Sequence, residues 1–145
     1  MNQLYILLTV MVVMVGALFA GHQALAEVLT GTAGNDTLLG TARDDRLEGR
    51  GGDDFLNGSR GNDYLNGGGG DDTIEGGSGN DEIIPGEGDD KVYAGAGADL
   101  IYARDTDGED YIDCGAGFDK VETIHRPDET LHNCERAPGP GRGGI

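Results

Sequence analysis

An aliphatic side chain returns at every ninth residue through most of this chain. Leu38, Leu47, Leu56, Leu65, Ile74, Ile83, Val92 and Ile101 keep the phase without a gap, and Ile112 and Val121 resume it after a two-residue insertion. Two residues before each stands an aspartate: Asp36, Asp45, Asp54, Asp63, Asp72, Asp81, Asp90 and Asp99, then Asp110 and Asp119. Two residues before the aspartate the chain has glycine, as at Gly34, Gly52, Gly61, Gly70, Gly79, Gly88, Gly97, Gly108 and Gly117; Arg43 is the exception. The residue between them is Asn or Asp through the first seven repeats: Asn35, Asp44, Asp53, Asn62, Asp71, Asn80 and Asp89. With the repeat numbered so that the aspartate is position six, the aliphatic residue is position eight.

A fixed short period is the mark of a solenoid. The stretch that begins at each aspartate, such as Asp72-Thr73-Ile74-Glu75, reads as a short strand whose alternation turns the aliphatic residue inward. The glycines permit positive φ, and Asn or Asp at position five tolerates the same left-handed region. Each nonapeptide is therefore expected to be a six-residue turn plus a three-residue strand. Two nonapeptides make one flattened coil. The fold class expected is all-β: a parallel β-roll, a right-handed β-solenoid of about ten repeats over 27–122, in which two aliphatic ladders meet in a thin core.

Composition adds a difficulty. The chain has 28 Gly, no Trp, 6% aromatic residues and a formal net charge of −17. Glycine without a three-residue period excludes collagen. The charge excludes nucleic acid as a partner, since its phosphates would be repelled. High charge with few large apolar residues leaves a chain disordered on its own. Eighteen residues per coil put Asp36, Asp54, Asp72 and Asp90 on one edge and Asp45, Asp63, Asp81 and Asp99 on the other. These are two ladders of like charge, which repel without a cation between them. Calcium takes six to eight oxygens from carboxylates and carbonyls, and glycine turns expose carbonyls. The spacing has room for about six ions. The calcium-free chain is then expected to be largely disordered and to fold cooperatively on binding.

The residues resemble the RTX, or haemolysin-type, calcium-binding repeat, whose pattern is G-G-x-G-x-D-x-U-x with U a large aliphatic. Gly67-Gly68-Gly69-Gly70-Asp71-Asp72-Thr73-Ile74-Glu75 meets every fixed position, and so does Gly76-Gly77-Ser78-Gly79-Asn80-Asp81-Glu82-Ile83-Ile84. The resemblance covers roughly 31–122. It implies a parallel β-roll, an extracellular setting, and calcium held by the position-six carboxylates of Asp36, Asp45, Asp54, Asp63, Asp72, Asp81, Asp90 and Asp99. It also implies ligation by turn carbonyls, here those of Gly49, Gly51, Gly58, Arg60, Gly67, Gly69, Gly76 and Ser78. Several positions depart from the pattern: Gly31-Thr32-Ala33 opens the first repeat, Pro85, Ala94 and Ala103 stand at position one, and Ala98, Glu109 and Phe118 at position five. The best calcium sites are expected between repeats three and seven.

The two ends read differently. Residues 1–26 carry no Lys, Arg, Asp or Glu, and Leu4 to Ala20 is a nearly unbroken apolar run that leads to Ala24-Leu25-Ala26. That is the layout of a secretory signal peptide, with a retained anchor as the rival reading, although the n-region lacks a basic side chain. The protein is expected to be secreted, with no membrane contact once mature. Many RTX proteins use a dedicated exporter that reads a C-terminal signal, and this feature does not carry over. In an exported chain the even count, Cys114 and Cys134, suggests a disulfide. It would close a cap over 123–135, leaving 136–145 as a flexible tail.

Other chemistry is poorly supported. Asp105-Thr106-Asp107-Gly108-Glu109-Asp110 hints at an EF-hand but lacks the spacing and the final glutamate. Glu122, His125, Asp128 and His132 are dispersed polar residues more simply read as solvated than as a second metal site. Ser59 and Ser78 both lie in repeat turns, with no histidine near in sequence, so no catalytic set is found and no enzyme is expected. A structural or adhesive role at the cell surface, with an unknown partner, is compatible with calcium binding.

Overall fold

The computed structural model describes residues 26–103, 108–123 and 130–134. Residues 1–25 of the expected signal peptide, His125, Asp128, Asp105 to Asp107 and the tail 136–145 lie outside the described residues, as does most of the cap. Thirteen strands and no helix are found among the described residues: β1 Val28–Thr30, β2 Thr37–Leu39, β3 Arg46–Glu48, β4 Phe55–Arg60, β5 Tyr64–Gly69, β6 Thr73–Ser78, β7 Glu82–Glu87, β8 Lys91–Gly97, β9 Leu100–Ala103, β10 Tyr111–Asp113, β11 Ala116–Gly117, β12 Lys120–Thr123 and β13 Thr130–His132. Alternate strands stack in two sheets, β1-β3-β5-β7-β9-β12 and β2-β4-β6-β8-β10-β13, with β11 also on β8. Every pairing is parallel. This is the β-solenoid that the nine-residue phase predicts.

The register explains why the phase must be strict. Leu38 pairs with Leu56, Leu56 with Ile74 and Ile74 with Val92 on one sheet; Leu47, Leu65, Ile83 and Ile101 line up on the other. Each rung lies on its own kind. A slip of one residue would send a whole ladder to solvent. The rungs from Leu38 to Ile112 are fully buried between the sheets. The insertion falls between Ala103 and Gly108 and leaves the stacking intact, since Val92 still pairs with Ile112 and Ile101 with Val121.

The roll has a rung at each end beyond the series read from the sequence. Leu29 on β1 pairs with Leu47 and is 5% exposed. The phase run backward from Leu38 falls on it. Leu131 on β13 pairs with Ile112, and the Cys114–Cys134 disulfide holds β13 there, with Cα atoms 5.1 Å apart. The described part of the expected cap is thus one more rung, fastened covalently.

Two expectations about local structure are corrected. The strands from β4 to β8 span six or seven residues rather than three. With coils stacked in constant register, turn backbones lie over one another as well, so ladder pairing runs on through positions one to three. Position five, moreover, is not left-handed: the only positive-φ residues besides glycine among the described residues are Arg50, Ser59 and Asn133. Asn and Asp serve there as acceptors instead. Asn35 Oδ1 accepts the N–H of Asp53, Asp53 Oδ1 that of Asp71, and Asp71 Oδ1 that of Asp89. On the other edge Asp44, Asn62 and Asn80 do the same for Asn62, Asn80 and Ala98.

Candidate metal centre

Position six forms an opposed, inner ladder. Asp54 Oδ1 accepts the N–H of Asp36 at 2.7 Å, Asp72 Oδ1 that of Asp54 at 2.7 Å, and Asp90 Oδ1 that of Asp72 at 2.8 Å. Asp63, Asp81 and Asp99 repeat the arrangement on the other edge. The two edges are those assigned from the eighteen-residue coil. Every one of these aspartates is at most 5% exposed.

The second carboxylate oxygen is the informative atom. Oδ2 of Asp54, Asp63, Asp72, Asp81, Asp90, Asp99, Asp110 and Asp119 is buried with no hydrogen-bond partner. A buried polar atom left bare costs free energy, and an ionised one costs more. Eight of them in two rows call for a positive counterpart. A turn carbonyl approaches the same place. A Cβ added at Gly49 would overlap both Asp54 Oδ2 and the Gly67 carbonyl oxygen, and one added at Gly58 would overlap Asp63 Oδ2 and lie 2.7 Å from the Gly76 carbonyl oxygen. Gly67 is placed likewise between Asp72 and the Pro85 carbonyl, and Gly76 between Asp81 and the Ala94 carbonyl. Two kinds of acceptor converge, and the carboxylate oxygen has no hydrogen-bond donor.

The donor set is one carboxylate oxygen with carbonyls. No three His, Cys, Asp or Glu side chains gather into a metal-binding group among the described residues. A hard cation suits such oxygens, whereas zinc and its nitrogen or sulfur ligands do not. The residues therefore fit calcium.

The predicted carbonyls divide into two groups. At position one, the carbonyls of Gly67 and Gly76 face the bare Oδ2 of Asp54 and Asp63, whereas those of Gly49 and Gly58 lie beside Oδ2 of Asp36 and Asp45. At position three, Gly69 O accepts the N–H of Gly52 and Ser78 O that of Gly61, each at 2.9 Å. These oxygens bind coil to coil, as do Glu87 O and Ala96 O, which accept from Gly70 and Gly79. Sequence reasoning left Asp110 and Asp119 out of the ligand set, although both are in phase and have the same bare Oδ2. It also passed over the carbonyls of Pro85 and Ala94, because the missing glycine at position one looked like a defect. A main-chain carbonyl does not depend on the side chain.

Burial pushes the Asp63 carboxyl up to about 7 and those of Asp72 and Asp81 up to about 6, and raises Asp54 and Asp99 in the same direction. The hydrogen bond from the preceding coil works against that rise, while the neighbouring carboxylates reinforce it. Without a cation, these groups resist ionisation.

Outside the ladders, His132 stacks on Tyr111 with ring centroids 5.0 Å apart. Glu122 forms an ion pair with Lys120. Neither joins a described metal-binding group.

The model of the RTX calcium-binding nonapeptide repeat matches the chain in four copies, over residues 30–65, 48–83, 60–92 and 84–121. No curated protein matches it.

Proposed function

Because the chain belongs to the family of RTX calcium-binding nonapeptide repeat proteins, we propose that it binds several calcium ions between its stacked turns and folds as it does so. The ligands are Oδ2 of Asp54, Asp63, Asp72, Asp81, Asp90 and Asp99, extended by Asp110 and Asp119, together with the position-one carbonyls. The observation that carries this reading is the double row of buried Oδ2 atoms without a donor. Bound calcium would neutralise the carboxylates in place and bridge carboxylate to carbonyl. Each added ion would steady the coil that receives the next, which makes the process cooperative.

The chain acts as a binding protein rather than an enzyme. The apolar, uncharged N-terminal run supports secretion, and the cysteine pair suits an oxidising setting. Outside the cell the calcium-stiffened roll would act as a structural or adhesive element. The test is far-UV circular dichroism during a calcium titration, with magnesium as control. A cooperative gain of β signal with calcium, and none with magnesium, is expected. A spectrum equally ordered in chelator and unchanged by calcium would refute the reading.

A further inference from the structure

The first coil treats its carboxylates differently from the rest. Position two there is Thr32 and Thr41. The N–H of Thr32 donates to Asp36 Oδ2 at 2.5 Å and its Oγ1 donates to the same oxygen at 2.9 Å. Thr41 does the same to Asp45 Oδ2, at 2.5 and 2.9 Å. Two donors thus occupy the oxygen that has none in Asp54 and in each later repeat.

The cause is a change of backbone. From the third to the eighth repeat position two is left-handed: Arg50, Ser59, Gly68, Gly77, Gly86 and Gly95 have φ between +76° and +120°. Thr32 and Thr41 are not. Ser59 separates the two contributions. It has a hydroxyl, but in its left-handed turn that group donates to Asn57 Oδ1 at 3.3 Å, and Asp63 Oδ2 stays bare. A hydroxyl alone does not satisfy the carboxylate. A hydroxyl on a turn that is not left-handed does, because the position-two N–H then points at the carboxylate as well.

We infer that Thr32 and Thr41 stand in for the ion in the first coil, so that Asp36 and Asp45 bind no calcium and the ion ladders begin at Asp54 and Asp63. This rests on the calcium reading above and corrects the ligand set read from the sequence at those two positions. An ion at Asp36 would have to displace two hydrogen bonds, and in the later repeats it displaces none. The arrangement also suits the end of a stack. Closing the first coil with its own side chains satisfies its carboxylate oxygens at the end of the stack without an ion.

Calcium bound at saturation should be counted by native mass spectrometry for the full chain and for the double variants D36N/D45N and D72N/D81N. D36N/D45N should carry as many ions as the unaltered chain, and D72N/D81N fewer. If the unaltered chain binds calcium and D36N/D45N loses ions, this inference fails and the calcium reading stands. If the unaltered chain binds none, both fail. A second measurement needs no variant: in the calcium-saturated chain the amides of Thr32 and Thr41 should exchange as slowly as ladder amides. Exchange at the rate of open surface amides would overturn the inference.

Discussion

The N–H of Asp63 donates to Oδ1 of Asp81, eighteen residues further on, at 2.9 Å, while Oδ2 of the same Asp81 carboxylate is buried and accepts no hydrogen bond. One side chain therefore does two separable jobs. Oδ1 ties coil to coil, and Oδ2 is the atom proposed to hold the cation.

Asparagine can separate the two. In D81N the amide oxygen can still accept the N–H of Asp63, but the charge and the bare oxygen are gone. The calcium midpoint of folding should move up by about tenfold, which corresponds to about 1.4 kcal/mol. D81A loses both functions and strands the Asp63 N–H, at a further cost of about 1–3 kcal/mol. Calcium titrations of the two variants check the order. Equal midpoints for D81N and the unaltered chain would show that Oδ2 of Asp81 holds no ion.

Gly61 and Gly79 test the stacking itself. A Cβ on Gly79 would overlap the Gly61 carbonyl oxygen, and Gly79 has a φ of +130°. Gly34 occupies the same position in the first coil, where a Cβ would meet nothing within 4 Å. Gly79→Ala should cost at least about 1–3 kcal/mol from the backbone conformation alone. Gly34→Ala should stay within about 0.5 kcal/mol. Thermal unfolding in saturating calcium measures both, and similar losses at the two sites would contradict the direction of stacking described here.

The same geometry accounts for Arg43, the one position-four residue that breaks the glycine pattern. It belongs to the first coil, and Gly61 is the residue that must fit against Arg43 rather than the reverse. The period, the two aspartate edges and the aliphatic ladders were all legible in the sequence, because each depends on spacing alone. Less legible were features that depend on where in the stack a repeat stands. Thr32 read as part of a weak match to the repeat and Thr41 carried no signal, and only their contacts reveal the two donors on each carboxylate oxygen. Asn and Asp at position five read as turn formers, since one side chain can serve as turn former or as acceptor. Leu29 was in phase but stood beside Glu27 instead of an aspartate, and the Glu27 N–H still donates to Asp45 Oδ1 at 2.7 Å.

Acid should partly replace calcium. Burial raises Asp63 to about 7 and Asp72 and Asp81 to about 6 in the folded roll, against an ordinary value of 3.8. Between those limits the folded state binds more protons than the unfolded one, so stability rises as pH falls. The gain is complete below the unfolded value and is lost as pH rises through 6 to 7. In chelator, β signal should therefore grow from pH 8 toward pH 4.5. Calcium affinity should fall over the same range, because protons compete for the carboxylates. A chelated chain whose spectrum does not change with pH, or loses β signal on acidification, would argue against buried aspartates in the calcium-free fold.

The last rung depends on a covalent tie. β13 is a three-residue strand, and Leu131 covers Ile112 only while Cys134 is held to the buried Cys114. The loop closed by the bond spans a sequence separation of 20, for which chain entropy gives about 3 kcal/mol. Reduction should release β13 and uncover Ile112 at the end of the core. In calcium the reduced chain should melt earlier, and the first amides to lose protection from exchange should be those of β10 and β12. The middle coils, β4 to β7, should keep theirs, because each strand there is paired on both sides. If protection is lost equally along the whole roll, the coils unfold as one unit and the disulfide stabilises all of it. If only the C-terminal strands respond, the bond is a local fastening at the end of a stack held elsewhere by its carboxylates.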